Sequence, residues 1–229
     1  MKIGIIAAMP EELVYLIQHL ENAKEETVLG NCYHTGTIGS VELVLVESGI
    51  GKVMSAMSVA ILADHFNVDA VINTGSAGAL AEGIEVGDVV IAEKLAYHDV
   101  DVTAFGYEYG QMAQQPLYFE TDKKFVSLIQ ESLSKLDQNW HLGLIVTGDS
   151  FVAGEDKIAT IKKHFPQVLA VEMEGAAIAQ AAHALNLPFL VIRAMSDNAN
   201  HEASISFDEF IVEAGRRSAQ ALIRLLESM

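Results

Sequence analysis

The chain has 229 residues, of which 51% are apolar, and a formal net charge of −17 at pH 7. This composition predicts one globular domain, residues 1–229, with a sizeable core. The acidic surface repels phosphate backbones and anionic lipids, so neither nucleic acid nor a membrane is expected as a partner. No apolar run approaches the roughly 18 residues of a membrane span. Cys32 is the single cysteine, which excludes an internal disulfide and fits a reducing cytoplasm.

Apolar runs alternate with amphipathic segments along the whole chain. Strands are predicted at 2–7, 69–74, 88–97, 142–146, 168–171 and 188–194, with a hairpin formed by 32–38 and 41–48. Helices are predicted from Pro10, over 51–66, 121–136, 155–165 and 174–186, and from a capping box at Ser206–Glu209 almost to the last residue. The alternation predicts an α/β fold of three αβα layers around a mixed, mostly parallel sheet.

Four familiar site motifs fail on spacing. Ser48–Lys52 resembles the end of a phosphate-binding P-loop, but the first glycine and the final Ser or Thr are missing. Gly75–Gly78 lacks the glycine spacing of a dinucleotide site. His98, Asp99 and Asp101 have no second ligand cluster, so no metal is expected. A serine-hydrolase elbow is absent from the sequence.

Two strand ends carry acidic groups. Val168–Val171 leads into Glu172 and Glu174, and the strand at 188–194 leads into Asp197. In open α/β sheets, the ligand lies in the crevice at the carboxyl ends of the strands. Carboxyl groups gathered there suit proton transfer and hydroxyl recognition, which indicates an enzyme that acts on a polar small molecule.

Three further segments allow two interpretations each. The glycines of Thr74–Ala79 favour either a close ligand approach or a structural turn. Glu12 is either a site residue or a stabilising charge at a helix N-terminus. Phe105, Tyr107 and Tyr109 form either a lid or ordinary loop packing.

Eight short runs occur in an order that identifies a family. They are Lys2–Met9, Ser48–Val53, Asn73–Gly78, Asp99–Tyr107, Thr147–Phe151, Val171–Glu174, Arg193–Asp197 and Ser206–Phe210. Together they resemble the 5′-methylthioadenosine/S-adenosylhomocysteine nucleosidases of the purine nucleoside phosphorylase superfamily. The resemblance spans nearly the whole chain, and the joint order of the runs is far more specific than any one of them.

The resemblance implies that water cleaves the adenine–ribose bond of both nucleosides, and of 5′-deoxyadenosine, in methionine salvage and adenine recycling. It implies that Asp197 protonates adenine N7 and that Glu12 activates the water, with Arg193 and Ser76 nearby. It assigns a ribose hydroxyl to Glu174. Neither a cofactor nor a metal is implied.

The same resemblance implies the remaining contacts. Phe151 stacks on adenine and the Val152 backbone reads its edge. Two residues of a second subunit cover the pocket, which implies a homodimer. The other predicted substrate-binding residues are Met9, Ile50, Ala77, Gly78, Glu172, Met173, Ser196 and Phe207, and the two from the second subunit are Val102 and Phe105.

Three alternatives remain beside this interpretation. A phosphorylase would use phosphate in place of water, but Arg193 is the only arginine near the predicted crevice and Glu12 repels anions. A nucleoside-binding protein would need no acid and base, so the retained Glu12, Glu174 and Asp197 disfavour it. A nucleosidase for another 5′-modified adenosine, such as aminodeoxyfutalosine, is not separated by the sequence.

Overall fold

The computed structural model describes residues 1–135, 138–199 and 203–229. Within these ranges there are ten strands: β1 (Lys2–Ala7), β2 (Glu21–Val28), β3 (Asn31–Ile38), β4 (Val41–Glu47), β5 (Ala70–Ala79), β6 (Val89–Tyr97), β7 (Phe119–Glu120), β8 (Trp140–Thr147), β9 (Val168–Glu172) and β10 (Phe189–Asp197). The same ranges contain six α-helices: α1 (Pro10–Gln18), α2 (Lys52–Asp64), α3 (Lys123–Leu133), α4 (Glu155–His164), α5 (Gly175–Ala184) and α6 (Ala203–Glu227).

The strands form one mixed sheet that closes on itself at β5. This long strand pairs with β10 from Val71 to Gly78, with β1 along its first half, and with β9 at Gly78 and Ala79. Strands β10, β6, β8 and β9 complete a ring that returns to β5, and β1, β4, β3 and β2 extend from it. The ring brings the carboxyl ends of β5, β9 and β10 together.

The predicted α/β class and mixed sheet are confirmed, but the parallel majority is not. In the described ranges, five strand pairings are parallel and five are antiparallel. The parallel pairs are β1–β4, β1–β5, β5–β10, β6–β8 and β8–β9. The antiparallel pairs are β2–β3, β3–β4, β5–β9, β6–β7 and β6–β10. The antiparallel share arises because a three-stranded meander extends one edge, closure of the ring reverses the direction at two contacts, and the short β7 pairs with β6.

Helices cover both faces of the sheet. Neighbouring residues of a strand point to opposite faces. Ile6 and Val71 accordingly lie in one core with residues of α2 and α5. Ile5 and Ile72 lie in a second core with residues of α1, α3 and α6. Among the described helices, none combines the length and hydropathy needed to cross a membrane.

Two local predictions need correction, and one strand was missed. The strand β2 was not predicted, because its residues are almost all exposed and show no apolar alternation. The capping box at Ser206 is wrong, since α6 begins at Ala203 and Ser206 lies inside its first turn. Helix α3 begins at Lys123, because the Asp122 carboxylate accepts from the Lys124 and Phe125 amides and caps it. Its predicted end at Leu136 lies outside the described residues.

Candidate active site

A cavity of about 470 Å³ opens where the carboxyl ends of β5, β9 and β10 meet the turn after β1. Most of the residues predicted for the site line it. These are Met9, Glu12, Ile50, Ser76, Ala77, Gly78, Phe151, Val152, Glu172, Met173, Glu174, Ser196, Asp197 and Phe207. The ring closure of the sheet therefore joins segments that are far apart in the chain.

Three predicted residues do not line this cavity. Arg193 is fully buried behind it, between acidic side chains. Val102 and Phe105 belong to the loop after β6, and Phe105 is 81% exposed. Conversely, four lining residues were not predicted, namely Ala8, Ser150, Val171 and Asp208. Each is a chain neighbour of a predicted residue, so contiguity along the chain was the available signal.

Glu12 is fixed by four hydrogen-bond donors. The N-terminus of α1 places its side chain under the preceding turn, where Oε2 accepts from the amides of Ala8 at 3.0 Å and Met9 at 3.3 Å. Its Oε1 accepts from the amide and the hydroxyl of Ser76, both at 2.9 Å. The carboxylate is therefore held in one orientation at the cavity wall, rather than serving only as a charge at the helix end.

Glu172 and Arg193 form a buried ion pair at the end of β9. The Arg193 Nη2 donates to Glu172 Oε2 and, at 2.6 Å, to Asn73 Oδ1. The Thr147 hydroxyl and the amides of Glu174 and Gly175 also donate to Glu172. Arg193 Nε and Nη1 are buried and, in the described part of the chain, have no hydrogen-bond partner. This leaves donor capacity on Arg193 for a bound molecule.

Glu174 lies two residues further on and has fewer partners. Its Oε1 accepts from the Gly51 amide at 2.8 Å, and its Oε2 lies 3.4 Å from Arg193 Nη2. Burial, and then the negative charge of Glu172, raise the pKa of Glu174 to about 7, although Arg193 and the Gly51 hydrogen bond act in the opposite direction. The group is thus able to change its protonation state near neutral pH.

Asp197 ends β10 and is 2% exposed. Its Oδ1 accepts from the Ala199 amide at 2.7 Å, and its Oδ2 lies 2.9 Å from the Ser196 hydroxyl oxygen. Burial raises the pKa of Asp197 above its ordinary value, although these two hydrogen bonds lower it. Asp197 is consequently suited to carry a proton into the cavity.

Two glycines of β5 make room for these polar groups. A Cβ at Gly75 would collide with Arg193 Nη1 and would lie 2.7 Å from Glu12 Oε1. A Cβ at Gly78 would lie 2.9 Å from Asp197 Oδ1. The glycines therefore serve the packing of the site's own side chains, and the alternative of a structural turn at Thr74–Ala79 is wrong because this segment lies within β5.

Aromatic residues form the mouth of the cavity. The rings of Phe151 and Phe207 meet edge to face at 5.8 Å, and Phe151 is 41% exposed. Of the proposed lid residues, Tyr109 donates its hydroxyl to the His98 carbonyl and stacks on His164, which favours ordinary loop packing for that residue.

The described side chains that come close enough to share a metal ion lie elsewhere. Glu25, Cys32 and His34 meet on the β2–β3 hairpin and do not line the cavity. Glu25 Oε1 lies 3.5 Å from His34 Nδ1, and Cys32 Sγ lies 3.8 Å from His34 Nε2.

Comparison with known proteins identifies the family. A family model described as the phosphorylase superfamily matches residues 2–227. A protein of Listeria monocytogenes named 5′-methylthioadenosine/S-adenosylhomocysteine nucleosidase is 48% identical over 233 residues, and the alignment covers 100% of both chains. The chain is a member of this nucleosidase family within the phosphorylase superfamily. The predicted family resemblance is thereby confirmed.

Solved nucleosidases share the complete fold. The enzyme from S. pneumoniae, in a complex with the transition-state inhibitor MT-ImmA, is 83% identical, with a TM-score of 0.97 over 99% of both chains. The enzyme from Neisseria meningitidis, in a complex with methylthio-immucillin-A, is 44% identical, with a TM-score of 0.98 over 100% of this chain and 99% of that one. These two nucleosidases therefore share the fold of this chain, including its strand ring.

Proposed function

We propose that this chain hydrolyses the adenine–ribose N-glycosidic bond of 5′-methylthioadenosine and S-adenosylhomocysteine, releasing adenine and a 5-thioribose. Relatives that are 46–48% identical over their whole length carry the name of this activity. The observation that carries the proposal is the gathering of buried carboxyl groups with different surroundings in one cavity. 5′-Deoxyadenosine is a further proposed substrate, and salvage of methionine and adenine is the proposed role.

Asp197 is the proposed general acid, which donates a proton to adenine N7 as the bond breaks. Its burial and raised pKa support this role, because an ordinary aspartic acid, with a pKa of about 3.9, carries no proton at pH 7. The Ser196 hydroxyl has a single proton and lies 3.3 Å from the Ala77 carbonyl. If it donates there, its oxygen can accept from the protonated Asp197 and orient the acid.

Glu12 is the proposed base for the attacking water. Four donors hold its carboxylate. Arg193 Nη1, which has no hydrogen-bond partner among the described residues, and Glu12 Oε1 both flank Gly75. A water beside Gly75 could accept from Arg193 and donate to Glu12, with the Ser76 hydroxyl as a third contact. Proton transfer to a positioned carboxylate raises the rate of such a step about 10²–10⁴-fold.

The remaining residues of the site are proposed to bind the ribose, the adenine and the thioalkyl group. Glu174 is proposed to accept a ribose hydroxyl beside the Met173 backbone, and Glu172 to hold Arg193 in place. Phe151 is proposed to stack on adenine, whose edge the Val152 backbone reads. Apolar Met9, Ile50 and Phe207 suit the sugar and the thioalkyl group.

The chain is further proposed to act as a homodimer. Val102 and Phe105 do not line the cavity of their own chain. Phe105 is exposed and free to cover the cavity of a second copy, whereas Val102 is partly buried against the core and has only part of its surface for such a contact. Apolar side chains on α2, including Val53 and Met57, are also exposed and offer an interface. A single catalytic domain over 1–229 and a cytoplasmic location complete the proposal.

Water is preferred over phosphate as the nucleophile. A phosphate anion needs several cationic or amide donors, often a bidentate arginine. Among the described residues that line the cavity, none is basic. The positive charge of Arg193 is already compensated by Glu172 and Glu174, and Glu12 would repel an anion.

The deciding experiment measures adenine release from 5′-methylthioadenosine in phosphate-free buffer, then with phosphate added, with identification of the sugar product. Release without phosphate, giving free methylthioribose, is expected. Formation of a sugar 1-phosphate that depends on phosphate would indicate a phosphorylase instead. Release from aminodeoxyfutalosine but not from the thio-nucleosides would replace the proposed substrates and keep the reaction type.

A further inference from the structure

Three segments that are far apart in the chain meet through charged side chains. The Lys52 Nζ donates to both oxygens of Asp99, at 2.8 and 3.0 Å, and lies 3.7 Å from Asp149 Oδ2. The Lys52 amide donates to Asp149 Oδ1 at 2.9 Å, and the Asp149 amide donates to Asp99 Oδ2 at 2.9 Å. We name these three residues the Asp99–Lys52–Asp149 cluster. None of the three lines the cavity.

The cluster joins the first residue of α2 to two loops, and its Lys52–Asp99 ion pair is partly shielded from solvent. Lys52 follows β4, Asp99 follows β6 and Asp149 follows β8. The side chains of Lys52 and Asp99 are 23% and 27% exposed, so their ion pair is less screened than one fully in water. Asp149 makes contacts within the cluster by its amide and by both of its carboxylate oxygens, which places it at the centre.

Adjacent backbone amides connect this cluster with the candidate active site. The Lys52 amide points at Asp149, and the preceding amide, that of Gly51, donates to Glu174 Oε1 at 2.8 Å. Gly51 has a φ of +96°, which favours glycine, and a Cβ there would lie 3.0 Å from Asp149 Oδ1. The Asp149 carboxylate therefore lies directly against the peptide that holds Glu174.

We propose that Asp149 is a positioning residue for the reaction, which fixes the Gly51–Lys52 peptide so that the Gly51 amide stays directed at the Glu174 carboxylate. The inference rests on the proposed function, in which Glu174 accepts a ribose hydroxyl. Asp149 touches neither the cavity nor the reacting atoms, and it acts through the Gly51 amide.

The Gly51 hydrogen bond affects the charge of Glu174 as well as its orientation. The acidic groups that face Glu174 are Glu172 on β9 and Glu12 on α1, and both raise its pKa. Arg193 on β10 and the Gly51 amide lower it. If the peptide moves, Glu174 loses one of the two groups that stabilise its charged form, and its pKa rises further.

The test compares Asp149→Ala with Asp149→Asn in adenine release from 5′-methylthioadenosine. Loss of the Gly51 contact predicts a kcat/KM about tenfold lower at pH 7, which corresponds to about 1.4 kcal/mol and matches the lower end for a hydrogen bond to a charged group. The same loss moves the acidic limb of the kcat/KM profile up by about one pH unit. Asp149→Asn keeps an oxygen for the Lys52 amide, so it retains most of the activity and the wild-type profile.

Two further variants keep the test decisive. Asp156→Ala removes an exposed acid from the first turn of α4, serves as the matched control and leaves the profile unchanged. Asp99→Asn weakens the contacts that hold Asp149 but keeps its side chain. We expect the acidic limb of the kcat/KM profile to move in the same direction by a smaller amount. Asp99→Asn replaces Asp149→Ala if that variant does not fold.

The outcomes separate the two proposals. Adenine release by the wild type tests the proposed function alone. A lowered melting temperature in Asp149→Ala with an unmoved acidic limb would show a purely structural role and overturn the inference. An equal loss in Asp149→Asn and Asp149→Ala would also overturn it. A wild type without activity would remove the inference together with the function on which it rests.

Discussion

The buried carboxyl groups of the cavity form two pairs that differ in hydrogen-bond supply. In the described part of the chain, Glu12 and Glu172 each accept from four donors. Glu174 and Asp197 each accept from two. Exposure does not separate the pairs, because all four residues are between 2% and 6% exposed. Donor supply, rather than depth, therefore distinguishes them.

The difference in the number of hydrogen-bond donors indicates two different roles. Burial destabilises the ionised form of an acid that has few hydrogen-bond donors. It accordingly raises the pKa of both Glu174 and Asp197. An acid with four donors is held in one orientation and offers a fixed acceptor. We expect the first pair to hold a proton or respond to pH, and the second pair to offer fixed carboxylates, Glu12 as the base for the water and Glu172 as the partner of Arg193.

The largest expected effect belongs to Asp197. Asp197→Asn keeps the shape of the side chain but removes the transferable proton, so turnover should fall by about 10⁴-fold, the upper end for a general acid. Binding of a nucleoside analogue should survive, since the amide still fits between Ala199 and Ser196. Single-turnover adenine release and calorimetric binding measure the two quantities. Near-normal turnover would remove Asp197 from the acid role.

Glu12→Gln tests the catalytic role proposed for Glu12, one of the two acids that accept from four donors. Glutamine retains one oxygen acceptor but is a far weaker base, so turnover should fall by about 10³-fold while the substrate still binds. Rapid-mixing experiments that separate binding from adenine release provide the measurement. A variant that folds but binds no substrate would indicate that Glu12 organises the cavity rather than activating water.

Much of the fold was predictable because its signals are local. The apolar runs of β1, β5 and β10 and the hairpin of β3 and β4 identified the α/β class and the mixed sheet. Strand β2 was missed because an exposed edge strand has no buried face to impose a pattern. The start of α6 was missed because Ser206 offers a plausible cap that the structure does not use.

The site was less predictable where contacts cross the chain. The acidic ends of β9 and β10 are visible in the sequence, but the burial of Arg193 between Glu172 and Glu174 depends on how the strand ring closes. The meeting of Lys52 with Asp149 spans 97 residues and leaves no local pattern. Such contacts follow from topology, which short-range propensities do not encode.

Glu172→Gln tests how much Glu172, the other acid that accepts from four donors, contributes to the stability of the protein. The substitution leaves the Arg193 charge with Glu174 as its remaining acidic hydrogen-bond partner, and breaking a buried ion pair on one side costs about 3–5 kcal/mol. For a domain of this size the melting temperature should fall by roughly 10 °C. Glu131→Gln, in the exposed pair with Lys135, is the matched control, for which less than about 1 kcal/mol is expected. Equal losses in both variants would contradict the comparison.

Glu174→Gln should have the smallest effect on stability, and one of opposite sign. The folded-state pKa of Glu174, about 7, lies above its unfolded value, so the folded protein loses stability as the pH rises from about 4.5 to 7 and does not regain it above. Glutamine carries no charge and avoids this loss. We expect a melting temperature a few degrees above that of the wild type at pH 8.

That advantage should shrink as the pH is lowered towards 5, because Glu174 is then protonated in the folded wild type as well. Thermal unfolding of both proteins at a series of pH values measures it, and turnover should fall in the variant because the ribose hydroxyl loses a charged acceptor. If Glu174→Gln instead lowers the melting temperature as much as Glu172→Gln does, the two neighbouring acids share one structural role. The number of hydrogen-bond donors would then not distinguish Glu174 from Glu172, where the predicted difference between the two pairs is clearest.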